Sequence, residues 1–144
     1  MNGQDLNWLI GGPQGSGINL SAETFAKACT RAGYRVFASI EYHSNIMGEH
    51  SYERVRVSQH DRGSSLDAVH VVVALDAETL LGSHGEFPNH DGHLRELVAD
   101  GAAIFDAGLK LDQAKAGRDD VRLYPVPFDE LLRRALTAIR KALT

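Results

Sequence analysis

The chain has 144 residues, of which 43% are hydrophobic and 24% are charged, and its formal net charge is −4. This length suits one domain spanning residues 1–144. The composition excludes nucleic-acid binding and a membrane span, because the first needs clustered basic residues and the second a long apolar run. The first residues lack the basic and apolar segments of a signal peptide, and the single cysteine, Cys29, is too few for an internal disulfide or an Fe–S cluster. We therefore expect a cytoplasmic protein without a redox centre of its own.

A strand, a tight loop and a helix open the chain. Residues 6–10 form a short apolar run, and the glycine-rich residues 11–17 follow at once, as in a strand that ends in a tight turn. Apolar residues then recur every three or four positions up to Gly33, which predicts a helix that stops there. This stripe consists of Ile18, Ala22, Phe25, Cys29 and Ala32. Residues 34–40 are rich in aromatic and β-branched residues, so the first 40 residues predict a βαβ unit with two parallel strands.

A strand with two unlike faces is predicted at residues 52–58. Val55 and Val57 fall on one face and Arg54 and Arg56 on the other, because side chains alternate along a strand. Arginines on one face indicate that this face is solvated or covered by a partner. We therefore expect the strand to lie toward the edge of the sheet.

The second half of the chain alternates strands with helices. Residues 69–75 are nearly all apolar, the pattern of a central strand, and His70 within them is expected to be a neutral imidazole hydrogen-bonded inside the fold. The last helix, residues 128–143, has one apolar stripe, with acidic residues early and basic residues late, as the helix dipole favours. The other predicted elements are short helices at 77–81 and 93–99 and strands at 102–105 and 121–126, with a loop from 82 to 92.

Strands separated by helices predict an α/β fold, an open, mostly parallel, doubly wound (Rossmann-like) sheet with helices on both faces. Ligands of such folds bind beyond the carboxyl ends of the strands. Two predicted loops fall there, residues 11–17 after the first strand and residues 41–51 after the second. These loops are the functional candidates.

The first loop can bind an anion, because its glycines leave backbone N–H groups free beside the start of a helix. Its spacing matches neither the G-x-G-x-x-G dinucleotide fingerprint nor a P-loop, which would need a lysine and a hydroxyl where Ile18 and Asn19 stand. A dinucleotide site remains an alternative, since Glu41 ends the second strand where such proteins keep a ribose-binding acid. A further alternative is that the glycines only allow a sharp turn and close packing.

Three segments together resemble a known family. They are Gly11-Gly12-Pro13-Gln14-Gly15-Ser16-Gly17, the helix end Ala32-Gly33-Tyr34-Arg35-Val36-Phe37, and Glu41-Tyr42-His43-Ser44-Asn45-Ile46-Met47-Gly48-Glu49-His50-Ser51-Tyr52. In order and spacing they are similar to the gamma domain of 2-oxoacid:ferredoxin oxidoreductases, in the form that begins the alpha subunit. The similarity is strongest over about the first 60 residues.

The resemblance implies a complex that oxidatively decarboxylates a 2-oxoacid to an acyl-CoA, using thiamine diphosphate, Mg, Fe–S clusters and coenzyme A, with ferredoxin as electron acceptor. This chain has no Gly-Asp-Gly thiamine motif and no cluster ligands. The resemblance therefore implies that other domains or subunits bind thiamine diphosphate and the Fe–S clusters, and that this chain alone binds no cofactor and is inactive. We expect it to contribute to subunit assembly and to the approach of coenzyme A.

The resemblance also names ligand-binding or active-site-facing residues, but no catalytic residue and no metal ligand. They are Gly12, Gln14, Gly15, Ser16 and Gly17 in the first loop and Ser44, Asn45, Gly48, His50 and Tyr52 in the second. Relatives often place basic residues where this chain has Met47 and Glu49. A cation would suit the phosphates of coenzyme A better than a carboxylate would, so this departure weakens an assignment of the second loop to coenzyme A.

Two other interpretations of polar residues are less favoured. His84, His90 and His93 share a loop with carboxylates but lack a standard metal-ligand spacing, so solvated histidines are expected there. A hydrolase built on Ser44 and His50 would need a Gly-x-Ser-x-Gly elbow, which is absent.

Two functional alternatives to the oxidoreductase domain remain open. One is a stand-alone Rossmann-like domain that binds a nucleotide or phosphate. The other is a purely structural assembly domain, in which the arginine face of residues 52–58 and the C-terminal helix are docking surfaces.

Overall fold

The computed structural model describes residues 5–42, 50–83 and 91–143, with Tyr42 as backbone only. Six strands form one sheet. They are β1 Leu6–Pro13, β2 Arg35–Tyr42, β3 His50–Ser58, β4 Val69–Ala74, β5 Leu97–Asp106 and β6 Arg122–Val126. Their spatial order is β2-β3-β1-β4-β5-β6, so β4 is central, as its apolar sequence predicted.

The sheet is mostly parallel, as expected, with one reversed strand. β1, β4, β5 and β6 pair in parallel, whereas β3 is antiparallel to both of its neighbours, β2 and β1. β1 and β2 therefore run in the same direction, but β3 separates them. The strand predicted to lie toward the edge, β3, is second from it, because β2 pairs with β3 on its outer side and is itself the edge strand.

Helices cover both faces, which confirms the predicted fold class. The helices are α1 Ile18–Arg31, α2 Ala77–Leu81, α3 Gln113–Ala116 and α4 Phe128–Ala142. On one face α1 packs over a core that includes Trp8, Ile10 and Val55. On the other face α2 contributes Leu80 and α3 contributes Ala116 to a core around Leu9, Val72 and Phe105.

One helix prediction was wrong. Only Leu94–Glu96 makes a short 3-10 turn in the 93–99 region, and Leu97 already begins β5, where it pairs with Val69. Leu94 and Leu97 both enter the core, and a single turn followed by a strand satisfies both. The prediction for His70 is confirmed, because its Nδ1 accepts a hydrogen bond of 3.0 Å from the backbone N–H of Asn7.

The last helix begins and ends close to its predicted bounds. Its apolar stripe, however, joins neither of the two cores. Its exposed large apolar residues are Leu131, Leu132, Leu136 and Ile139, followed by Leu143. Across the described residues, no helix is both long and apolar enough to cross a bilayer.

Candidate functional site

The strand residues that flank the two candidate loops lie side by side at one end of the sheet. β3 begins beside the end of β1, with Pro13 paired to His50 and Gly12 paired to Ser51. On its other side Ser51 pairs with Tyr42, the last residue of β2. The strand residues that flank both loops are therefore neighbours, at the end of the sheet where the fold class predicted a ligand.

The glycines of the first loop serve two different purposes. Gly15 and Gly17 have φ angles of 86° and 85°, a left-handed conformation that side chains disfavour. An added Cβ would meet nothing within 4 Å at either position, so the backbone conformation requires glycine there. At Gly11 the requirement is space, since a Cβ would lie 2.5 Å from Cδ1 of Tyr52. These glycines therefore allow both the left-handed turn and the close packing of β1 on Tyr52 of β3.

The loop leads into an uncapped helix start. The hydroxyl and the N–H of Ser16 both donate to the carbonyl oxygen of Pro13, at 2.5 and 3.2 Å, which closes the turn. Gly17 is the N-cap and has no side chain to bond the first amides, and the first turn contains no acidic residue. The N–H of Ser21 is bonded to the Gly17 carbonyl at 3.0 Å, so the amides before it lie at the positive end of the α1 dipole.

A groove of about 460 Å³ lies over this helix start. It is lined by Gln14, Gly15, Gly17, Ile18, Asn19, Leu20 and Ser51. The lining joins the first loop to the start of β3 and contains amide and hydroxyl groups. None of these lining residues is basic, so within the described chain an anion here would rely on backbone N–H groups and the helix dipole.

The second motif enters the site through His50. Its Nε2 lies 2.5 Å from Oδ2 of Asp76, and its Nδ1 lies 3.5 Å from Oε1 of Glu78. The other carboxylate oxygen of Asp76 accepts from the N–H and the hydroxyl of Thr79, at 3.0 and 2.7 Å, so Asp76 also caps α2. Burial tends to raise the pKa of Asp76, but the hydrogen bonds from Thr79 and His50 outweigh it and lower that pKa.

Tyr52 is completely buried in β3. Its ring makes an edge-on contact with His93, with 4.3 Å between the ring centroids, and stacks more distantly on His50, at 6.2 Å. Through these contacts the buried Tyr52 ring packs against the His50 and His93 side chains. Three other residues carried over from the resemblance, Ser44, Asn45 and Gly48, lie outside the described residues, as do His84 and His90.

A buried ionic cluster continues along the same face of β3. Arg54 donates from Nε to Glu41 at 2.8 Å and from Nη2 to Glu96 at 2.7 Å, and Nδ1 of His93 lies 3.2 Å from the other oxygen of Glu96. Burial opposes the charge of Glu96, but the hydrogen bonds from His93 and Arg54 lower its pKa. We name Arg54, Glu41, Glu96 and His93 the Arg54 cluster.

The Arg54 cluster corrects one sequence interpretation. Arg54 is only 7% exposed, and Arg56 is bonded to Asp5 at 2.5 Å and to the carbonyl of Ser64 at 2.9 Å. The suggestion that the arginine face is a docking surface was therefore wrong, because the chain covers that face with its own acidic residues and loops.

The Arg54 cluster also bears on the dinucleotide alternative. In a dinucleotide fold the ribose-binding acid ends the strand beside the glycine-loop strand. Here β3 lies between β2 and β1, and Glu41 pairs with Arg54. This geometry disfavours Glu41 as a ribose ligand.

Sequence reasoning missed the carboxylates that hold His50. Asp76 and Glu78 directly follow β4, the strand predicted to be central. The rule that picked the first two loops, that polar residues after parallel strands meet at one edge, applied equally to this third strand end. In the described residues, no group of three or more His, Cys, Asp or Glu side chains is arranged to hold a metal ion.

Comparisons with known proteins cover nearly the whole chain. Residues 7–143 match the family described as pyruvate ferredoxin/flavodoxin oxidoreductase. The alpha subunit of 2-oxoacid:ferredoxin oxidoreductase 1 from Sulfurisphaera tokodaii is 41% identical, over 96% of this chain and 25% of the relative. The chain spans a quarter or less of the length of the curated relatives that it matches.

Solved structures support the same fold. A 2-oxoglutarate:ferredoxin oxidoreductase from Magnetococcus marinus, with 2-oxoglutarate, coenzyme A and succinyl-CoA bound, matches 91% of this chain and 21% of its own, with a TM-score of 0.72 and 23% identity. The gamma subunit of a keto/oxoacid ferredoxin oxidoreductase from Geobacter sulfurreducens matches 74% of this chain and 53% of its own, with a TM-score of 0.53 and 19% identity. At these identities the structural matches describe the fold.

Proposed function

The chain belongs to the pyruvate ferredoxin/flavodoxin oxidoreductase family, and from this premise we propose that it is the gamma-type domain of a 2-oxoacid:ferredoxin oxidoreductase. The complete enzyme would decarboxylate a 2-oxoacid oxidatively, form an acyl-CoA and pass the electrons to ferredoxin. This domain would shape the approach of coenzyme A and hold no complete active site of its own. We expect the enzyme to act in the cytoplasm.

The residues of this chain suit a phosphate of coenzyme A, but they do not suit the other groups that the family implies, which are thiamine diphosphate, Mg and Fe–S clusters. The chain has no Gly-Asp-Gly motif to hold the Mg of thiamine diphosphate, and an Fe–S cluster needs about four thiolates, whereas this chain has one cysteine. Other domains or subunits would therefore bind thiamine diphosphate, Mg and the clusters and supply the carbanion and electron-transfer chemistry. A phosphate of coenzyme A, in contrast, suits the groove over α1.

The observation that carries this proposal is the pairing of Gly12 with Ser51, which joins both family motifs at one groove. Amides at the start of α1 point toward an anion, and the helix dipole favours negative charge there. Ser51 and Asn19 can add hydrogen bonds from the side of the groove. A phosphate group of coenzyme A is the anion that the family chemistry brings to this edge.

The groups in this groove can contribute only a small part of the binding free energy of coenzyme A. Backbone amides and a helix dipole contribute roughly 1 kcal/mol each at an exposed site. The groove lacks a lysine or arginine, and Met47 and Glu49 stand where relatives often carry basic residues. We therefore assign the stronger cationic contacts with coenzyme A to partner subunits, and positioning of one phosphate to this domain.

The decisive experiment changes one atom in the groove. In the intact complex, Asn19→Asp places a carboxylate at the first turn of α1 with almost no change in shape. Two like charges about 4 Å apart in water repel by about 1 kcal/mol, so we expect the KM for coenzyme A to rise about fivefold. The same carboxylate should stabilise α1 by roughly 0.3–1 kcal/mol, because it caps the helix dipole. Weaker binding together with equal or higher thermal stability separates a ligand site from a structural defect.

Asn19→Ala is the matched control, since it removes the side chain and its hydrogen bond without adding charge, and it should raise the KM for coenzyme A about twofold, less than Asn19→Asp does. Ser44→Ala and Asn45→Ala in the same complex test the second loop in the same assay. An Asn19→Asp enzyme with an unchanged KM for coenzyme A would remove the groove from the coenzyme A path. A tagged chain that recovers no thiamine-dependent subunit from its native cells would overturn the family function itself.

A further inference from the structure

The sheet is covered unevenly on the side of α1. Along β4 and β5 the residues that face the opposite side are fully buried, as Val72 and Phe105 show at 0% exposure. On the α1 side, Val73 of β4 still packs against the core beneath α1, whereas Ile104 of β5 is half-buried and belongs to neither core. In β6, Tyr124 on this side is 47% exposed. We name the α1-side face of β5 and β6 the open half-sheet.

This unevenness follows from where α1 lies. The helix packs on β1, β2 and β3, and among the described residues the core beneath it extends to Val71 and Val73 of β4 but includes no residue of β5 or β6. Parallel strands are normally covered on both faces, because each face presents apolar side chains. The open half-sheet is therefore an apolar layer that lacks its second layer.

A second apolar surface follows directly in the chain. The stripe of α4 recurs at helical spacing and is 49–82% exposed when Leu143, just beyond the helix, is included. Its members are Leu131, Leu132, Leu136, Ile139 and Leu143. Apolar stripes of this width normally face a core, and exposed apolar patches on this scale mark interaction sites.

We propose that the open half-sheet and the α4 stripe together form the docking surface for another polypeptide of the oxidoreductase, which covers both with one apolar surface. This inference rests on the proposed function. In the relatives that match 96% of this chain, the matched part is 25% of the subunit, so further polypeptide of the same enzyme is available to cover this domain.

Charge specifies the rim of this partner. α4 contains four basic residues, Arg133, Arg134, Arg140 and Lys141, against two acidic ones, Asp129 and Glu130, a net charge of +2. The whole chain is −4, so the rest of it is −6. A partner surface with an apolar centre and an acidic rim complements α4, whereas the rest of this chain would repel an acidic partner. The basic helix therefore sets where such a partner docks.

A second copy of the chain fits this surface less well. Two α4 helices packed together would share one face of fifteen residues, about 22 Å long. Stable interfaces bury about 800 Å² on each partner, more than one helix face of this length provides. Such a pair would also leave the open half-sheet uncovered.

The test compares two charge substitutions on the same helix. Ile139→Glu puts a carboxylate in the stripe, and Thr137→Glu puts the same charge on the opposite, polar face. The tagged full chain is expressed in its native cells, and the co-purified thiamine-binding and Fe–S subunits are quantified by mass spectrometry. We expect Ile139→Glu to lower their yield more than tenfold and Thr137→Glu to lower it less than twofold. Tyr124→Glu, on the open half-sheet, should reduce the yield in the same direction as Ile139→Glu.

Because α4 joins neither core, the two α4 variants should unfold thermally at the same temperature as the wild type, so their loss of assembly would not reflect unfolding. Thermal unfolding of Tyr124→Glu is measured alongside, and its yield is compared only if it unfolds at the wild-type temperature. Wild-type yield from both Ile139→Glu and Tyr124→Glu overturns the docking surface while leaving the proposed function intact. A purified wild-type chain that is dimeric by light scattering, and that Ile139→Glu makes monomeric, assigns the surface to a second copy and also overturns the proposal. Absence of oxidoreductase subunits from the wild-type sample rejects the proposed function instead.

Discussion

The two faces of β3 bury their side chains by different physical means. On the α1 side, Val55 and Val57 enter an apolar core beneath the helix. On the opposite side, His50, Tyr52 and Arg54 are buried by partners from β2, α2 and the turn before β5. The comparison shows that an alternating polar and apolar strand does not indicate a solvent-exposed face when carboxylates elsewhere in the chain can neutralise it.

The same comparison separates the carboxylates by the direction of their pKa shifts. Asp76 and Glu96, on the polar face, gain hydrogen bonds that outweigh burial, and their pKa values are lowered. Glu53, on the α1 face, is buried without such bonds, and desolvation followed by repulsion from Glu23 raises its pKa. The polar face therefore gains stability from its carboxylates at neutral pH, and the apolar face loses some.

The largest expected effect comes from breaking the Arg54 cluster. Arg54→Met keeps much of the side-chain volume but leaves Glu96 buried with only His93 beside it among the partners that the structure shows. Breaking a buried ion pair on one side costs about 3–5 kcal/mol, and we expect about 3 kcal/mol because Glu41 is 42% exposed. Urea unfolding of the purified chain, followed by circular dichroism, measures this loss of unfolding free energy.

A matched substitution on the opposite face calibrates that prediction. Val55→Ala removes two methyl groups from the α1 core, at about 0.8 kcal/mol per buried carbon group plus a cavity term, or about 2 kcal/mol in all. The double variant Arg54→Met with Glu96→Leu should recover most of the lost stability, since it removes the stranded charge. If the Arg54→Met variant were as stable as Val55→Ala or more stable, the Arg54 cluster would not contribute the larger share of the unfolding free energy that we assign to it.

An intermediate effect is expected at the edge of the sheet, where His50 meets Asp76. Asp76→Asn keeps an oxygen that can cap α2 but removes the charge that binds His50. The lowered pKa of Asp76 means that its ionised form stabilises the fold fully above its ordinary value of 3.8, and this stability is lost as the pH falls below 3.8 through the lowered pKa of the folded state. We expect the variant to be about 1 kcal/mol less stable than the wild type at pH 5, with a smaller difference at pH 3.

Thermal unfolding at both pH values checks this sign. His50→Gln removes the same pair from the other side and should show a similar loss at pH 5. If Asp76→Asn destabilised the chain equally at both pH values, the effect would come from the helix cap and not from the charge, and His50 would not be held electrostatically.

These contrasts define what the sequence could predict. β1, α1 and β4 follow from local patterns, namely a short apolar run before glycines, a stripe at helical spacing and a nearly continuous apolar run, because the length of each run and its flanking residues favour one element. The order of the strands does not follow from local pattern. The insertion of β3 between β2 and β1 depends on a hairpin whose partners are chosen by contacts far apart in sequence, such as Arg54 with Glu96.

The candidate site divides in the same way. Gly15 and Gly17 could be predicted because a tight turn after a strand requires left-handed backbone. Asp76 was not predicted, since nothing local links it to His50, 26 residues earlier. The resemblance named His50, and the register of β3 against β1 places it beside the glycine loop.

An effect of similar size but opposite sign, a gain in stability, is expected on the apolar face. Glu53 is 7% exposed, and within the described part of the chain its Oε2 has no hydrogen-bond partner. Because its folded pKa is raised above 4.5, its contribution is most favourable below that pH and becomes a cost as the pH rises and the carboxylate ionises. Glu53→Gln should therefore stabilise the chain by roughly 1 kcal/mol at pH 7, because the amide removes the desolvated charge and a shift of one pKa unit corresponds to about 1.4 kcal/mol.

The pH dependence of Glu53→Gln, compared with that of Asp76→Asn, tests whether the two faces of β3 shift carboxyl pKa values in opposite directions. Glu53→Gln should gain stability relative to the wild type as the pH rises from 4 to 7, whereas Asp76→Asn should lose it as the pH rises from 3 to 5. Chemical unfolding of both variants across this pH series measures the two slopes. Slopes of equal sign would mean that β3 does not separate its carboxylates by face, because burial without partners and burial with partners must shift a carboxyl pKa in opposite directions.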